Sequence, residues 1–360
     1  MMLSQRNLKV LLLCSIICQL VWLAAANPKP AAAADDQWLA YKQAHGKVYH
    51  SAEEDQMRRQ LFEQSLAEVE RFNRDEADDL GYSKGISHLS DRTAEELAQL
   101  NGFRLDTSLP RLSLQEAFRL LKIENMSTDS LPDQFDYSQD AKRVSYVKDQ
   151  GQCGSCWAYS TAGLLEGQQV FQDKQLKELV SLSTQELMDC DIDVDAACDG
   201  GNPLYALTWM AHSQSGLTSD ADYPYKGERL DCQLKAKQDK VLDYTRKVFA
   251  PFSFEAENED LLRKLLIAYG PISVALDATN LSPYRMGIFK DRSCKKYHPN
   301  HAVLLVGYGT YENPKTKQKL PYWKVKNSWG VWGESGYFRI ARNHESMCGI
   351  ASYPVGVMFN

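Results

Sequence analysis

The stretch QGQCGSCWAYS, residues 150–160, carries two cysteines three positions apart at the start of a helix-forming run. Cysteines at this spacing serve as a redox couple, as half of a zinc site, or as a disulfide partner beside a nucleophilic thiol. Each alternative requires different surroundings in the chain. The rest of the sequence therefore decides what Cys153 and Cys156 do, and with them which fold the chain adopts.

The first residues indicate the compartment. A basic lead-in with Arg6 and Lys9 precedes the apolar run Val10–Ala26, which ends in small residues. This pattern predicts a signal peptide over residues 1–26 and a chain that enters the secretory pathway. A membrane anchor is the alternative, but the run is short for a bilayer span and no stop-transfer charges follow it. We therefore expect no association with a membrane.

The cysteine count fits an oxidising compartment. Removal of the signal peptide takes away Cys14 and Cys18 and leaves seven cysteines, an odd number. Secreted chains oxidise their cysteines in pairs, so the sequence predicts three disulfides and one remaining thiol. Glycosylation sequons at Asn125 and Asn280 fit the same compartment. The mild net charge of −6 argues against nucleic acid as a partner.

The chain changes character near Leu131. Before it, charged segments with apolar residues at three- and four-residue steps predict helices, the longest over Glu53–Asn73. After it, helices are predicted first and strands later. The expected helices cover 155–173, 183–189, 203–216 and 258–269, and the expected strands contain ISVALDA, HAVLLVGYG, PYWKVKNSW and GYFRIAR. This order indicates an α+β fold.

Two of the three roles for the cysteine pair lack the surroundings they need. A redox couple belongs to an early strand–helix–strand unit, and no such pattern encloses residues 150–160. A zinc site would use Cys294, His298 and His301, but no second pair of ligands at suitable spacing appears. We therefore expect neither a metal nor a cofactor. The third role places Cys156 at the start of a helical run, where the helix dipole favours a thiolate nucleophile.

The segment QGQCGSCWAYS resembles the active-site segment of papain-like cysteine proteases. Two further segments resemble that family in the same order, NHAVLLVGYG at 300–309 and KNSWG at 326–330. The resemblance extends from about Trp38 to Tyr353. It implies a two-lobed, papain-like mature domain, with a helical lobe and a β-barrel-like lobe, preceded by an α-helical propeptide.

The resemblance also implies roles for individual residues. Cys156 would attack the peptide carbonyl, and His301 would form an ion pair with it and then protonate the leaving amine. Asn327 would accept a hydrogen bond from the His301 ring, and Trp329 would shield that bond and border the substrate pocket. Gln150 and the backbone N–H of Cys156 would donate to the oxyanion.

The pairing of the other six cysteines is likewise implied by the resemblance, since the sequence alone leaves the pairing open. The implied bridges are Cys153–Cys198, Cys190–Cys232 and Cys294–Cys348. Only seven residues lie between Cys190 and Cys198, which leaves no room for an occluding loop like that of cathepsin B. The sequence therefore predicts an endopeptidase and not a dipeptide-releasing enzyme.

By position, the main specificity pocket would be lined by Asn202, Pro203, Ala275 and Ala302. The two alanines leave room, which suits a bulky apolar or aromatic substrate side chain. Asn202 is more polar than the residue often found at its position in the family. It is therefore expected to weaken that preference.

The helical part before Leu131 resembles the propeptide of cathepsin L-like zymogens. Its markers are Glu54, Arg58, Phe62 and Asn73 on one helix, with Ser65 and Val69 in place of Asn and Ile, and GISHLSD at 85–91 as a second motif. The implied domains are a signal peptide at 1–26, an inhibitory propeptide at 27–130 and a papain-like peptidase domain at 131–360. The propeptide would run backwards through the active cleft and leave it in an acidic compartment.

These features predict a cysteine endopeptidase that is made as an autoinhibited zymogen and is either lysosomal or extracellular. Its expected partners are polypeptide substrates, its own propeptide and cystatin-like inhibitors, and we expect a monomer. The alternative is a catalytically inactive papain-like protein that binds peptides or matrix. That alternative rests on departures from the family pattern in loops, such as the short NSWGVWG segment.

Overall fold

The computed structural model describes residues 31–108, 111–112, 114–120, 122–172, 175–191, 194–213, 216–233, 241, 249–253, 258–313 and 317–359. The predicted signal peptide, with Cys14 and Cys18, lies outside these residues. The chain divides into two compact units, Met1–Arg59 and Gln60–Asn360. Among the described residues, no helix has the length and apolar character that crossing a membrane requires.

The first unit is helical, as its sequence pattern predicts. It contains helix α1, Ala31–Ala44, and the first turns of helix α2, Ala52–Asp75. Trp38 stacks on Tyr41 with ring centroids 5.6 Å apart, and its indole N–H donates to a carboxylate oxygen of Asp55 over 3.1 Å. Lys42 donates to the other oxygen of Asp55 over 2.6 Å. An aromatic stack and a shared carboxylate thus join the two helices.

The second unit begins with the remainder of α2 and continues through short elements. These are helix α3, Ala77–Leu80, strand β1, Tyr82–Lys84, helix α4, Ala94–Gln99, and helix α5, Leu114–Leu120. Helix α4 begins with a capping box, in which the Thr93 hydroxyl accepts from the Glu96 N–H and the Glu96 carboxylate accepts from the Thr93 N–H. This reciprocal cap explains why so short a segment forms a helix.

Four helices follow, and the first of them lies in the core. They are α6, Cys156–Gln172, α7, Thr184–Cys190, α8, Pro203–Ser213, and α9, Glu259–Tyr269. Nearly every residue of α6 up to Val170 is buried. A helix that is covered on all sides belongs to the centre of a domain. Helix α6 therefore carries Cys156 at its N-terminus into the interior of the unit.

The second half of the chain forms a mainly antiparallel sheet with β1 at one edge. Its other strands are β2, Phe135–Asp136, β3, Phe249–Ser253, β4, Ile272–Leu276, β5, Tyr284–Phe289, β6, His301–Glu312, β7, Lys319–Lys326, β8, Tyr337–Ala341, and β9, Val355–Phe359. The strand order is β1-β5-β8-β7-β6-β4-β9-β3, and β2 pairs with β6. Pairing of β4 with β6 sets Ala275 opposite Ala302 and Leu276 opposite His301.

One hydrophobic core runs through the second unit on both sides of Leu131. It includes Phe72, Tyr82 and Phe103 together with buried residues of the later helices and strands. Tyr82 packs edge-on against Phe289 of β5, with ring centroids 5.2 Å apart. Residues expected to form a propeptide therefore share a core with residues of the expected peptidase domain.

The elements follow the predicted order of helices first and strands second, and the largest differences in strand bounds are at β6 and β7. Strand β6 continues to Glu312, beyond HAVLLVGYG, and β7 ends at Lys326, before Asn327. At Asn327 the backbone N–H donates to Gly336 instead of to β6, so the chain leaves the sheet there. Strands β1, β2, β3, β5 and β9 were not predicted, because their extended form depends on partners far away in the sequence.

Candidate active site

Cys156 is the first residue of α6 and the one free cysteine in the described part of the chain. The residues before it are fixed, because Cys153 is bridged to Cys198 and the Gly154 N–H donates to the Cys198 carbonyl over 3.0 Å. The Ala302 N–H lies 3.5 Å from the sulfur of Cys156. The sulfur therefore lies at a helix N-terminus and beside the residue that follows His301.

His301 begins β6, and its ring Nε2 lies 2.8 Å from Oδ1 of Asn327. The Trp329 ring lies over the histidine, with centroids 4.8 Å apart and an interplanar angle of 33°, and only 2 % of Trp329 is exposed. Trp332 packs edge-on against Trp329 at 4.9 Å. The short NSWGVWG loop thus brings a buried indole over the contact between His301 and Asn327.

The side-chain amide of Gln150 is fixed at both of its ends. Its Nε2 donates to the carbonyls of Leu100, at 2.9 Å, and Cys153, at 2.7 Å. Its Oε1 accepts from the Ser328 hydroxyl over 2.6 Å. Because the oxygen of the amide is held by a hydroxyl, the NH₂ group must point to the opposite side. The Gln150 donor therefore faces Leu100.

Ser328 connects the polar groups of the site, and the sequence analysis did not identify it. Besides its hydroxyl contact with Gln150, its N–H donates to Asn327 Oδ1 over 2.9 Å, and its carbonyl accepts from the Gln150 N–H over 2.9 Å. The signal was present in KNSWG, where a serine directly follows the asparagine and can bond to nearby polar groups in a tight loop. Ser328 thereby ties the partner of His301 to the Gln150 amide.

The segment Leu100–Arg104 covers this group of residues. Gly201 donates its N–H to the Gly102 carbonyl and accepts from the Arg104 N–H, each over 2.8 Å. These bonds pair Phe103 with Gly201 in the parallel direction. A segment N-terminal to Leu131 is thus bound as an extended peptide beside Cys156.

Gly102 is the point of closest approach within that segment. A Cβ atom at this position would lie 1.8 Å from the carbonyl oxygen of Gly154 and 2.7 Å from its Cα. Both are backbone atoms, so no side-chain movement could relieve the overlap. The segment fits against residues 153–156 only because position 102 has no side chain.

The residues expected to line the substrate pocket fall into two groups. Ala275 and Ala302 lie opposite each other on β4 and β6, and both are buried. Asn202 and Pro203 lie at the start of α8 and are also buried. Trp329 belongs to neither group, because it packs on His301.

Tyr353 joins this region, and the sequence analysis did not identify it. The Asn202 amide nitrogen donates to the Tyr353 hydroxyl over 3.2 Å and to the Arg104 carbonyl over 2.9 Å. The Phe103 ring packs edge-on against the Tyr353 ring with centroids 5.2 Å apart, and Phe103 is 6 % exposed. The polar group of Asn202 is thus already bonded, and a buried aromatic side chain packs beside it.

Burial changes the protonation of Cys156 and His301 while the segment covers them. Burial raises the pKa of the Cys156 thiol to about 11, and neighbouring backbone N–H groups offset only part of this. Burial lowers the pKa of His301 to about 4, and the bonds to Asn327 and the Leu100 carbonyl offset only part of this. Because removal from water penalises both charges, the covered pair is a neutral thiol and a neutral imidazole between these two values. The ion pair implied by the resemblance is disfavoured in this closed state.

A buried ionic cluster adjoins Asn327. Lys326 donates to the Ser145 hydroxyl over 2.9 Å, which in turn donates to Glu166 over 2.6 Å, and Lys148 lies 3.2 Å from the same carboxylate. Burial favours the neutral acid, but the charges of the two lysines hold the pKa of Glu166 below its ordinary value. Burial also lowers the pKa of Lys326 to about 8. A network that bonds all its members fixes the backbone directly before Asn327.

The other six cysteines of the described residues are bridged, and both sequons are exposed. The cysteines form the bridges Cys153–Cys198, Cys190–Cys232 and Cys294–Cys348, which is the pairing that the resemblance implies. Asn125 and Asn280 are exposed. The Asn280 amide donates to Asp291 over 2.9 Å and to Ser293 over 3.0 Å.

Family models match both parts of the chain. Residues 131–358 match the model described as "Papain family cysteine protease", and residues 38–97 match the model described as "Cathepsin propeptide inhibitor domain". The first match covers more than half of the chain. The two matches lie on different parts of the chain and do not overlap.

Curated relatives and solved structures extend this likeness over most of the chain. Cathepsin K of Mus musculus is 36 % identical over 332 residues, with 89 % of this chain and 93 % of its own length covered. Procathepsin L of Mus musculus is 34 % identical over 357 residues, with 97 % of this chain and 99 % of its own length covered. The solved digestive procathepsin L 3 of Tenebrio molitor larval midgut is 33 % identical, with a TM-score of 0.75 and 90 % of this chain and 98 % of that chain covered. A second solved structure from that source, digestive procathepsin L2 proteinase, is 30 % identical and has a TM-score of 0.80, with 90 % of this chain and 99 % of that chain covered. These likenesses confirm the predicted α+β fold with an N-terminal helical module.

Proposed function

Because the chain belongs to the papain family of cysteine proteases, as a cathepsin L-like zymogen, we propose that Cys156 and His301 make it an endopeptidase. One observation carries this proposal. The free sulfur at the start of α6, the bonded His301–Asn327 pair and the Gln150 amide all meet a single segment of the preceding module. A nucleophile, its base and an oxyanion donor are the parts that acyl transfer requires.

The proposed reaction starts when the covering segment leaves. Water then enters the cleft and reduces the desolvation penalty that keeps both groups neutral, so the thiol proton can pass to the imidazole. The Cys156 thiolate attacks the peptide carbonyl, and the His301 imidazolium protonates the leaving amine. Asn327 holds the ring in place, Trp329 shields that bond, and Gln150 donates to the oxyanion together with the Cys156 N–H.

The same contacts account for latency. The Gly102 N–H faces the Cys156 sulfur, so the segment presents a hydrogen-bond donor to the nucleophile. The Leu100 carbonyl accepts from Gln150 and thus engages the donor proposed for the oxyanion. The segment pairs with Gly201 in parallel, and we propose that a substrate binds the same edge in the opposite direction. A chain bound in reverse fills the cleft without presenting a bond that can be cleaved.

The proposed domains are a signal peptide at 1–26, a propeptide at 27–130 and a peptidase domain at 131–360. Residues 127, 129 and 130 are exposed in a short 3₁₀ turn, whereas Leu131 is buried, so a processing enzyme could reach the chain just before the peptidase domain. Acid would promote release by protonating carboxylates that hold the propeptide. Glu68 stabilises the fold of the propeptide itself, since it bonds to Arg71 and Lys84 of the same module.

The proposed specificity is for a bulky apolar or aromatic side chain in the pocket of Asn202, Pro203, Ala275 and Ala302, with Tyr353 beside it. Phe103 supports this, because the propeptide places an aromatic ring against Tyr353. The seven residues between Cys190 and Cys198 support cleavage within chains, since no long insertion is available there to close one end of the cleft.

The proposed setting is the secretory pathway, with a lysosomal or extracellular destination. The three bridges fit an oxidising compartment. Asn125 and Asn280 are the proposed glycan acceptors, because both are exposed. We further propose that the enzyme acts as a monomer on polypeptides and is open to cystatin-like inhibitors.

The decisive experiment compares the full chain with Cys156→Ala and His301→Ala after incubation in acid. We expect the wild type to cleave a peptide substrate and to take up an epoxide-type thiol probe at Cys156, and we expect both variants to lose cleavage. His298→Ala is the matched control, because His298 is exposed in the loop shortly before His301. Cleavage by the Cys156→Ala variant, or a wild type that is processed but takes up no probe, would contradict the proposal.

A further inference from the structure

The covering segment is bound on two edges, and the second edge is the residue before His301. The Phe103 N–H donates to the Asn300 carbonyl over 2.8 Å, whereas Gly201 bonds to the residues on either side of Phe103. Successive residues of an extended chain present their backbone groups to opposite edges, so Asn300 and Gly201 hold the segment from its two sides. A peptide in the cleft therefore meets a backbone acceptor at Asn300, whose position depends on what holds this residue.

Asn300 lies where two paired strands end. Leu276, the last residue of β4, is opposite His301, the first residue of β6. The Asn300 N–H donates to the Leu276 carbonyl over 3.0 Å, but Asp277, the next residue after β4, donates its own N–H to the Cys348 carbonyl. The ladder between β4 and β6 therefore stops at this point. Side chains must hold the Asn300 carbonyl in place.

Asp277 is a buried carboxylate that accepts four hydrogen bonds. It is 5 % exposed. Its Oδ1 accepts from the Thr279 N–H over 3.0 Å, from the Thr279 hydroxyl over 2.5 Å and from the Asn300 side-chain amide over 3.3 Å. Its Oδ2 accepts from the Lys295 N–H over 2.6 Å. A buried charge is tolerated where donors surround it, and these donors come from the end of β4 and from the chain that leads into His301.

The Asn300 side chain is bonded at both of its ends to residues 277–279. Besides its bond to Asp277, its Nδ2 donates to the Thr279 hydroxyl over 3.1 Å. Its Oδ1 accepts from the Ala278 N–H over 2.8 Å. Because the amide cannot turn without breaking several of these bonds, the backbone that carries it is held as well.

Asp277 also holds the other end of residues 295–300. The His298 N–H donates to the Lys295 carbonyl over 3.1 Å, which closes a turn, and Pro299 has no N–H to bond. The Asp277 carboxylate bonds to Lys295 before this turn and to Asn300 after it. One side chain thus fixes both ends of the stretch that precedes His301.

We propose that Asp277 is a positioning residue that holds the Asn300 carbonyl as an acceptor for a backbone N–H of the substrate. The proposal rests on the proposed function, since it assumes that substrates bind in the cleft that the covering segment fills. Asp277 acts through Asn300 and not on the reacting atoms. Without the carboxylate, the donors of Thr279, Lys295 and Asn300 lose their shared acceptor, and the Asn300 carbonyl loses its fixed position.

Asp277→Ala tests the proposal, and Asp291→Ala is the matched control. Asp291 also accepts from nearby donors, the N–H and the hydroxyl of Ser293, and it lies in the same connection between β5 and β6 as Asn300. Alanine is used because asparagine would create a glycosylation sequon at either position, Asn-Ala-Thr at 277 and Asn-Arg-Ser at 291. Both variants are compared with the wild type as enzyme released from the full chain by acid.

The substrates are a peptide and versions of it in which one backbone N–H before the scissile bond is replaced by an ester oxygen. For the parent peptide, KM of Asp277→Ala should be about fivefold higher than KM of the wild type, the effect of one hydrogen bond. One ester replacement should raise KM about fivefold in the wild type and in Asp291→Ala, but less than about twofold in Asp277→Ala. An ester penalty that is equal in wild type and Asp277→Ala at every position would overturn the proposal.

Hydrogen exchange of the Phe103 amide in the intact zymogen is a second readout, which requires no activity. It should be about fivefold faster in Asp277→Ala than in the wild type and unchanged in Asp291→Ala, as measured by NMR on labelled phenylalanine. If Asp277→Ala fails to fold, Thr279→Val replaces it, because the hydroxyl of this exposed residue bonds to both Asp277 and Asn300. A wild type that cleaves no peptide would contradict the proposed function alone, whereas unchanged Phe103 exchange would contradict the role of Asp277.

Discussion

Replacement of Gly102 by alanine should weaken closure of the cleft and raise the fraction of zymogen whose cleft is open. The added Cβ would lie 1.8 Å from the Gly154 carbonyl oxygen, and ordinary contact begins at 3.4 Å, so the segment must move by about 1.6 Å. Such a displacement breaks hydrogen bonds, which tolerate only a few tenths of an ångström beyond their normal length.

The magnitude follows from the bonds that the displacement breaks. Among the bonds that hold the segment, three lie where the displacement is greatest: Gln150 Nε2 to the Leu100 carbonyl, the Gly201 N–H to the Gly102 carbonyl, and the Arg104 N–H to the Gly201 carbonyl. At about 1 kcal/mol each, their loss amounts to about 3 kcal/mol. The ratio of closed to open zymogen should therefore fall roughly a hundredfold.

The assay is uptake of an epoxide-type thiol probe by the intact chain at neutral pH, where acid processing does not confuse the result. Gly102→Ala should take up the probe at Cys156 roughly a hundred times faster than the wild type and should cleave a small peptide before any processing. Thr107→Ala is the control, because this exposed residue lies three positions beyond the segment and should leave latency unchanged. If Gly102→Ala stays as latent as the wild type, the segment does not close the cleft in the manner described.

Three other predictions concern protonation and positioning. With the propeptide bound, the Cys156 thiol should alkylate slowly between the lowered pKa of His301, about 4, and the raised pKa of the thiol, about 11. Removal of the propeptide should accelerate alkylation most between about pH 5 and about pH 8. Equal alkylation rates before and after processing would refute the neutral pair. Ser328→Ala frees the Gln150 amide oxygen and should lower kcat about tenfold with little change in KM, measured by steady-state kinetics, whereas an unchanged kcat would show that Gln150 needs no such support. The bonds of Glu68 lower its pKa to about 2, so its stabilisation of the propeptide is present above the ordinary value of 4.5 and is lost as the pH falls through about 2. Because this carboxylate is largely exposed, Glu68→Gln should cost less than about 1 kcal/mol and should move the pH of half-maximal processing slightly upward, and a downward shift would contradict this.

The sequence predicts those parts of the site that depend on residues within one short segment. The odd cysteine count and the helical run after Cys156 indicate a thiol at a helix N-terminus, and α6 begins at that residue. The resemblance adds the segments of His301 and Asn327, whose side chains lie 2.8 Å apart. Helix α4 is equally local, because its capping box needs only Thr93 and Glu96.

The sequence did not predict residues whose roles depend on a distant neighbour. Ser328 matters because Gln150, far earlier in the chain, offers an amide oxygen to its hydroxyl. Tyr353 matters because Asn202 and Phe103 meet it in space. Tyr353 carries no periodicity or motif that would distinguish it, and the serine of KNSWG acquires its role only because Gln150 lies beside it in the folded chain.

The sequence by itself thus determined the class of fold, the free cysteine and the segments that carry the reacting groups. The tertiary structure alone decided that Cys156 and His301 are neutral under the propeptide and that Gly102 must lack a side chain. The reason is physical: charge states and close contacts depend on how much water remains around a group and on which atoms surround it. Those surroundings come from residues far apart in the chain and exist only once it has folded.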